Sequence, residues 1–204
     1  MKKAKNALLL ALCAVLLVGA TIAGTVAYLK STTDEVKNTF TAGNVTITLD
    51  EAKVTEYGVE VAGAARVIQN EYKLIPGHTY TKDPVVHIKG GSEACYLFVK
   101  VTNELSAIED TNNIHSQILA NGWVVVDADN GIYGKETALD ARTVAADKYL
   151  DVAVFGKLNL ADDADVSAYV GKTVTVQACA IQADGFANMT AAWTTGLNST
   201  FPTE

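Results

Sequence analysis

Apolar and polar residues alternate with a period of two along most of this chain. In the first such run the apolar residues are Val45, Ile47 and Leu49, with threonines between them. This spacing is typical of a half-buried β-strand. Further strands are predicted at residues 72–74, 85–89, 95–103, 123–127, 150–158 and 173–183. Turn-forming pairs separate the runs, at Pro76-Gly77, Gly90-Gly91, Asn130-Gly131 and Asp184-Gly185.

Helical periodicity is rare in the same sequence. Residues 114–120 and 188–195 are the two segments predicted to form short helices. Hydrophobic residues make up 49% of the chain and charged residues 19%, a balance that supports a packed core rather than disorder. Many short strands with few helices predict an all-β fold, a jelly-roll-like β-sandwich formed by residues 44–204 as a single domain.

The N-terminus has the pattern of an export signal. Three lysines within the first five residues precede an uncharged apolar run over residues 7–22, and Ala27 ends a stretch of small residues. We therefore predict a signal peptide over residues 1–27, cleaved between Ala27 and Tyr28. The alternative is a retained membrane anchor, because the apolar run extends through Leu29 and approaches the roughly 20 residues that span a bilayer. Both interpretations place the rest of the chain outside the cytoplasm.

Residues 28–43 differ from the strand-like remainder of the chain. They are mostly polar or charged, with Tyr28, Leu29, Val36 and Phe40 as the apolar positions. The segment does not alternate well enough to predict a core strand. It is predicted to be a mobile N-terminal arm that becomes fixed when it binds something.

Two cysteines remain once the signal peptide with Cys13 is removed. Cys95 and Cys179 both lie in strand-like runs. In an oxidising compartment they could form a disulfide bond, and the alternative is two buried thiols that act as small hydrophobic side chains.

The run from Asp127 to Gly131 resembles the opening of a calcium-binding loop. Its glycine comes one position early, and Ala138 stands where the loop would need a glutamate. A tight turn between two strands is favoured, with Asp127 and Asp129 left as calcium candidates. No other metal or cofactor is predicted.

Catalytic motifs are missing from the sequence. It contains neither His-Glu-x-x-His nor Gly-x-Ser-x-Gly, and its three histidines are His78, His87 and His115. No enzymatic activity is therefore predicted. The net charge is −7 and becomes more negative when the three N-terminal lysines are removed. Nucleic acid is excluded as a partner because it requires a basic face, and membrane contact is expected only through an uncleaved signal segment.

Five blocks of sequence resemble the TasA/camelysin family of secreted bacterial proteins. The first two lie at the signal-peptide junction and just after the arm, and the others contain a proline-glycine turn with a lysine-aspartate-proline, a following strand and the last strand. The blocks are residues 24–29, 38–45, 74–86, 94–101 and 174–186. Residues 105–165 match the family poorly.

The resemblance implies a jelly-roll subunit of an extracellular fibre in a biofilm matrix or on a cell surface. A SipW-type signal peptidase would cleave at Ala27, and the freed arm, anchored by Tyr28 and Leu29, would add a strand to the next copy. The expected partners are the chain itself and other matrix proteins. Two alternatives stay open. One is the metallopeptidase activity attributed to camelysin-type proteins, and the other is a monomeric adhesin that binds glycans through Trp123, Trp193 and tyrosines.

Overall fold

The structure is a computed structural model that describes Lys5 and residues 44–202. The chain divides into two compact units, Met1–Thr41 and Ala42–Glu204, and the described strands all lie in the second. The predicted signal peptide, its cleavage junction and the arm lie outside the described residues.

Within residues 44–202, nine antiparallel strands form three sheets. The strands are β1 Ile47–Asp50, β2 Thr79–Thr81, β3 Val85–Lys89, β4 Cys95–Asn103, β5 Val124–Asp127, β6 Ile132–Gly134, β7 Tyr149–Ala153, β8 Lys157–Asn159 and β9 Val174–Gln182. One sheet has the order β1-β3-β7, a second pairs β2 with β8, and the third has the order β5-β6-β4-β9. The predicted all-β sandwich class is confirmed.

The helices are short, as the sequence predicts. Helix α1 is Ile114–Ala120, and helix α2 is Met189–Ala191, which continues as a π-helical turn over Ala192–Gly196. Two 3₁₀ turns, Ser106–Ile108 and Val166–Tyr169, lie in connecting segments. Asparagine caps α1 at its start, where the Asn113 side chain accepts a hydrogen bond from Ser116 N at 2.8 Å.

The main core receives side chains from all three sheets. Val86 and Ile88 of β3 belong to the same core cluster as Leu97 and Val99 of β4, and all four are completely buried. Because neighbours along a strand point to opposite faces, this core uses every second residue of each strand. The sheets therefore stack face to face, which is the arrangement of a sandwich.

A second apolar cluster covers the outer face of the four-stranded sheet. Phe98 on β4 packs against Trp193 of the π-helical turn, with ring centroids 5.4 Å apart. Met189 and Phe201 complete the cover. β4 is consequently buried on both faces, which explains its long run of apolar residues.

Two predictions about strands were wrong. Residues 72–74 form a loop rather than a strand, and the Tyr80 hydroxyl holds this loop by donating to Lys73 O at 2.6 Å and accepting from Ile75 N at 2.7 Å. Residues 150–158 were predicted as one strand. The chain instead leaves β7 after Ala153 and enters β8 at Lys157, which belongs to a different sheet.

Candidate strand-acceptor site

The outer edge of β9 has free backbone hydrogen-bonding groups. At the two ends of the ladder, Glu104 N donates to Thr173 O at 3.1 Å and Ala183 N donates to Ala94 O at 2.7 Å. Odd-numbered residues of β9 therefore bond to β4. Since bonding direction alternates along an antiparallel strand, the even-numbered residues direct their N–H and C=O groups away from β4. Within residues 44–202, no strand pairs with that edge.

The outer edge of β1 is arranged in the same way. Thr46 O accepts from Lys89 N at 2.9 Å, so the even-numbered residues of this segment bond to β3. The odd-numbered residues Val45, Ile47 and Leu49 therefore direct their backbone N–H and C=O groups away from β3. Glu51, the next odd residue, exchanges two hydrogen bonds of 2.8 Å with Val67, which confirms the direction. Ahead of Glu51, the described part of the chain offers this edge no partner strand.

We call these two facing edges the open seam. Its lining side chains pack half-buried against the main core, and they are Val45, Ile47 and Leu49 from the β1 side and Val174, Val176, Ala178 and Ala180 from β9. Cα atoms of β1 and β9 approach within 8 Å of each other. A strand paired to both edges in one plane would need about 10 Å, so an added strand would pair with one edge and cover the other.

β9 lacks the features that usually protect an edge strand. It contains no charged residue and no proline over its nine residues. The other long edges differ, because β7 carries Asp151 on its outer face and β5 is interrupted by a bulge between Val125 and Asp127. Long, uncharged edges without such features readily pair with another strand. The β9 edge is therefore the strongest candidate acceptor in the described domain.

Charged side chains hold β1 in place. The carboxylate of Asp50 accepts hydrogen bonds from His87 Nε2 at 2.9 Å and from Arg66 Nε, and Arg66 also bonds Asp83 at 2.9 Å. The other ring nitrogen of His87 contacts Asp151 of β7 at 2.6 Å. Burial lowers the pKa of His87, but its hydrogen bonds to Asp151 and Asp50 outweigh burial and raise that pKa above its ordinary value. The His87 imidazole thus joins β1, β3 and β7, and it donates to both carboxylates when it is protonated.

This bridge predicts a pH-dependent stability. Because the pKa of His87 is raised by folding, its contribution is fully present below about pH 6.5 and is lost as pH rises through the folded-state pKa. The stability difference between wild type and His87→Gln should therefore be larger at about pH 5.5 than at about pH 8.5. Urea unfolding at the two pH values measures it. Asp151→Asn should reduce the pH dependence, and an equal difference at both values would contradict the role of the bridge.

Cys95 and Cys179 do not form a disulfide bond, which was one of the two alternatives considered for them. Both are free thiols on neighbouring strands, where Cys95 pairs with Gln182 and Cys179 pairs with Phe98. Cys95 points into the main core and Cys179 into the second cluster, so the thiols lie on opposite faces of one sheet. Burial raises the pKa of Cys95 to about 11 and that of Cys179 to about 12, which keeps both protonated.

The segment with the calcium candidates Asp127 and Asp129 forms a tight turn between β5 and β6. The Asp127 carboxylate accepts hydrogen bonds from Asn130 N at 3.1 Å and Asn130 Nδ2 at 2.8 Å. Those bonds lower the pKa of Asp127. Gly131 adopts φ 64°, and a Cβ there would lie 2.3 Å from Val101 O, so glycine is required. Asp129 is exposed.

The three histidines lie in different surroundings. His78 Nε2 contacts Tyr57 O at 2.8 Å, His115 Nδ1 contacts the Tyr133 hydroxyl at 2.8 Å, and His87 belongs to the β1 bridge. Within residues 44–202, no group of three or more histidine, cysteine, aspartate or glutamate side chains is arranged to hold a metal ion. No helix among these residues is long and apolar enough to cross a membrane.

The structure does not describe the predicted arm residues Tyr28, Leu29, Val36 and Phe40 or the junction at Ala27. The open edge of β9 was not predicted, although the uncharged alternation of residues 174–182 is a signal for an edge strand. Comparison with protein-family models, with curated proteins and with solved structures finds no match to this chain.

Proposed function

We propose that this protein is a secreted structural subunit that polymerises head-to-tail into extracellular fibres of a bacterial biofilm matrix or cell surface. The arm of one copy, residues 28–43, adds a strand to the open seam of the next copy. The observation that carries this proposal is the unprotected edge of β9, whose alternate backbone groups are directed away from the sheet. The likeness of the sequence blocks to the TasA/camelysin family supports it.

An added strand would make two kinds of contact with the open seam, backbone hydrogen bonds and apolar side-chain contacts. Its backbone would bond the outward groups of Val174, Val176, Ala178, Ala180 and Gln182. Its alternate side chains would cover the half-buried residues of both edges. Hydrogen bonds give such a strand its affinity, and apolar contacts give it its register.

The arm has the length and pattern that this role requires. Extended at about 3.3 Å per residue, residues 28–43 reach roughly 50 Å, whereas the nine residues of β9 extend roughly 30 Å. Val36 and Phe40 are separated by four residues and therefore share one face of an extended strand. Removing residues 1–27 would free Tyr28 from the membrane, so the signal peptidase would control assembly.

Growth by this route is expected to give an open chain of copies. The donating arm and the accepting seam are different surfaces of the same chain, and such heterologous contacts give open filaments unless the rotation closes a ring. Each soluble subunit would therefore add at an end of the growing fibre.

Removing the arm is expected to abolish polymerisation. A protein that begins at Tyr28 should form regular filaments by electron microscopy, and one that begins at Asn38 should stay monomeric, because it has lost ten residues of donor strand. A synthetic peptide of residues 28–43 should bind the shortened protein and should not bind the protein with its seam already filled. Filaments of equal length and number from the shortened protein would contradict the proposal.

A further inference from the structure

A cluster formed by buried Glu51 and half-buried Asn70 and Lys82 lies beside β1 and takes no part in the proposed assembly. Glu51 follows β1, Asn70 lies in the loop that pairs with it, and Lys82 follows β2. Lys82 Nζ is 2.8 Å from Glu51 Oε2, and Asn70 Nδ2 donates to Glu51 Oε1 at 2.9 Å. One carboxylate therefore holds an amine on one oxygen and a carboxamide on the other.

The ion pair of the cluster is largely buried. The side chain of Lys82 is 11% exposed and that of Glu51 is 8% exposed. The Tyr72 ring lies 5.7 Å from Lys82 Nζ, and its hydroxyl donates to Thr81 O at 3.1 Å. The amine and the carboxylate are thereby largely shielded from water, and the carboxamide-bearing residue Asn70 is half-buried.

The carboxamide of Asn70 is held and polarised by the backbone. Its Oδ1 accepts from Val54 N at 3.0 Å, and its Nδ2 also donates to Ala52 O at 2.8 Å. An N–H aimed at the amide oxygen stabilises negative charge that develops there when a nucleophile attacks the carbonyl carbon. The fixed orientation also lowers the entropic barrier to attack by a neighbouring group.

We propose that Lys82 and Asn70 form an intramolecular isopeptide bond, with Glu51 as the proton carrier. Glu51 accepts a proton from the Lys82 ammonium, and the neutral amine attacks Cγ of Asn70. The C–Nδ2 bond breaks as Glu51 returns its proton to the departing nitrogen. The attacking nitrogen then gives its second proton, through Glu51, to the released ammonia, which leaves as ammonium. The new bond joins Lys82 Nζ to Asn70 Cγ. Atoms and charge balance without an oxidant, a reductant or another co-reactant.

Such a bond would close the chain between residues 70 and 82 and fix the loop beside β1. That loop contains Val67, the residue that occupies the β1 edge at Glu51. Covalent closure restricts the unfolded chain and so stabilises the folded domain. The bond does not rest on the proposed fibre function, since every participating residue lies within one chain.

Mass spectrometry of the denatured protein tests the bond. The measured mass of the wild-type protein should be lower, by the mass of one ammonia molecule, than the mass calculated from its sequence. Trypsin should leave Lys82 uncut and release residues 67–73 joined to residues 74–89 as one branched peptide. Glu51→Gln and Lys82→Arg should each restore the full mass, while Lys73→Arg, a change at an exposed lysine, should keep the deficit.

A further variant identifies the chemistry. Asn70→Asp would form the same amide with loss of water, so its cross-linked product should have the same mass as cross-linked wild type. Circular dichroism shows whether each variant folds, and Lys82→Arg replaces Glu51→Gln if the latter does not. A folded wild-type protein with its full residue mass and two separate tryptic peptides would overturn the proposal.

Discussion

Val176→Lys is expected to abolish filament formation while the domain stays folded. Val176 is half-buried in the open seam, and its backbone groups point to the free edge of β9. In the monomer a lysine there can extend its ammonium group to water. An added strand would enclose that charge, which costs several kcal/mol without a partner. The expected monomer has a loss of stability of about 1–2 kcal/mol from reduced apolar burial.

Gln177→Lys is the matched control. It introduces the same charge one position away, on the opposite face of β9, where the side chain is exposed. Its backbone bonds to β4 and not to the seam. Electron microscopy should show filaments for Gln177→Lys and none for Val176→Lys, with both proteins folded by circular dichroism. Equal filament formation by the two variants would show that the seam is not the acceptor.

Trp123→Ala is expected to destabilise the domain by about 3–5 kcal/mol, a large part of the 5–15 kcal/mol that typical domains possess. The Trp123 side chain is 1% exposed, and its Nε1 donates to Ala153 O at 2.9 Å. Lys135 Nζ lies 4.8 Å from the centre of its ring. The substitution removes the packing, the hydrogen bond and the cation–π contact together. Urea unfolding followed by circular dichroism measures the loss.

Trp123→Phe separates these contributions. It keeps an aromatic ring in the core but leaves Ala153 O without its indole donor, so the expected loss is smaller than for alanine. Val170→Ala, at a side chain that is 79% exposed, should change stability by less than about 0.5 kcal/mol. If Trp123→Ala unfolds at the same urea concentration as Val170→Ala, the ring is not a core residue.

Sequence reasoning succeeded where a segment is long and its pattern agrees with its surroundings. The strand over Val85–Lys89, the strand over Cys95–Asn103 and the helix over Ile114–Ala120 were predicted with these boundaries. In each case turn or capping residues mark the ends. β2 and β6, of three residues each, were not predicted, because so short a run has no measurable period.

The errors arose where tertiary contacts override local pattern. Tyr72 is in a β-favouring segment, but Tyr80 satisfies the neighbouring backbone groups by itself. The faces of Cys95 and Cys179 depend on the register between β4 and β9, and a shift of one residue would reverse the face of either strand. The Glu51, Asn70 and Lys82 cluster joins residues up to 31 positions apart, so no local pattern reveals it.

The two outer faces of the sandwich are unsuited to stacking against another copy. The C-terminal segment with Trp193 covers one broad face, and the His87 bridge with Asp50 and Asp151 gives the other a charged surface. Buried or charged faces do not stack sheet on sheet, which is how amyloid thickens sideways. Under the proposed function, association would therefore take place at the sheet edges. A chain built this way would give thin fibres of uniform width rather than laterally fused bundles.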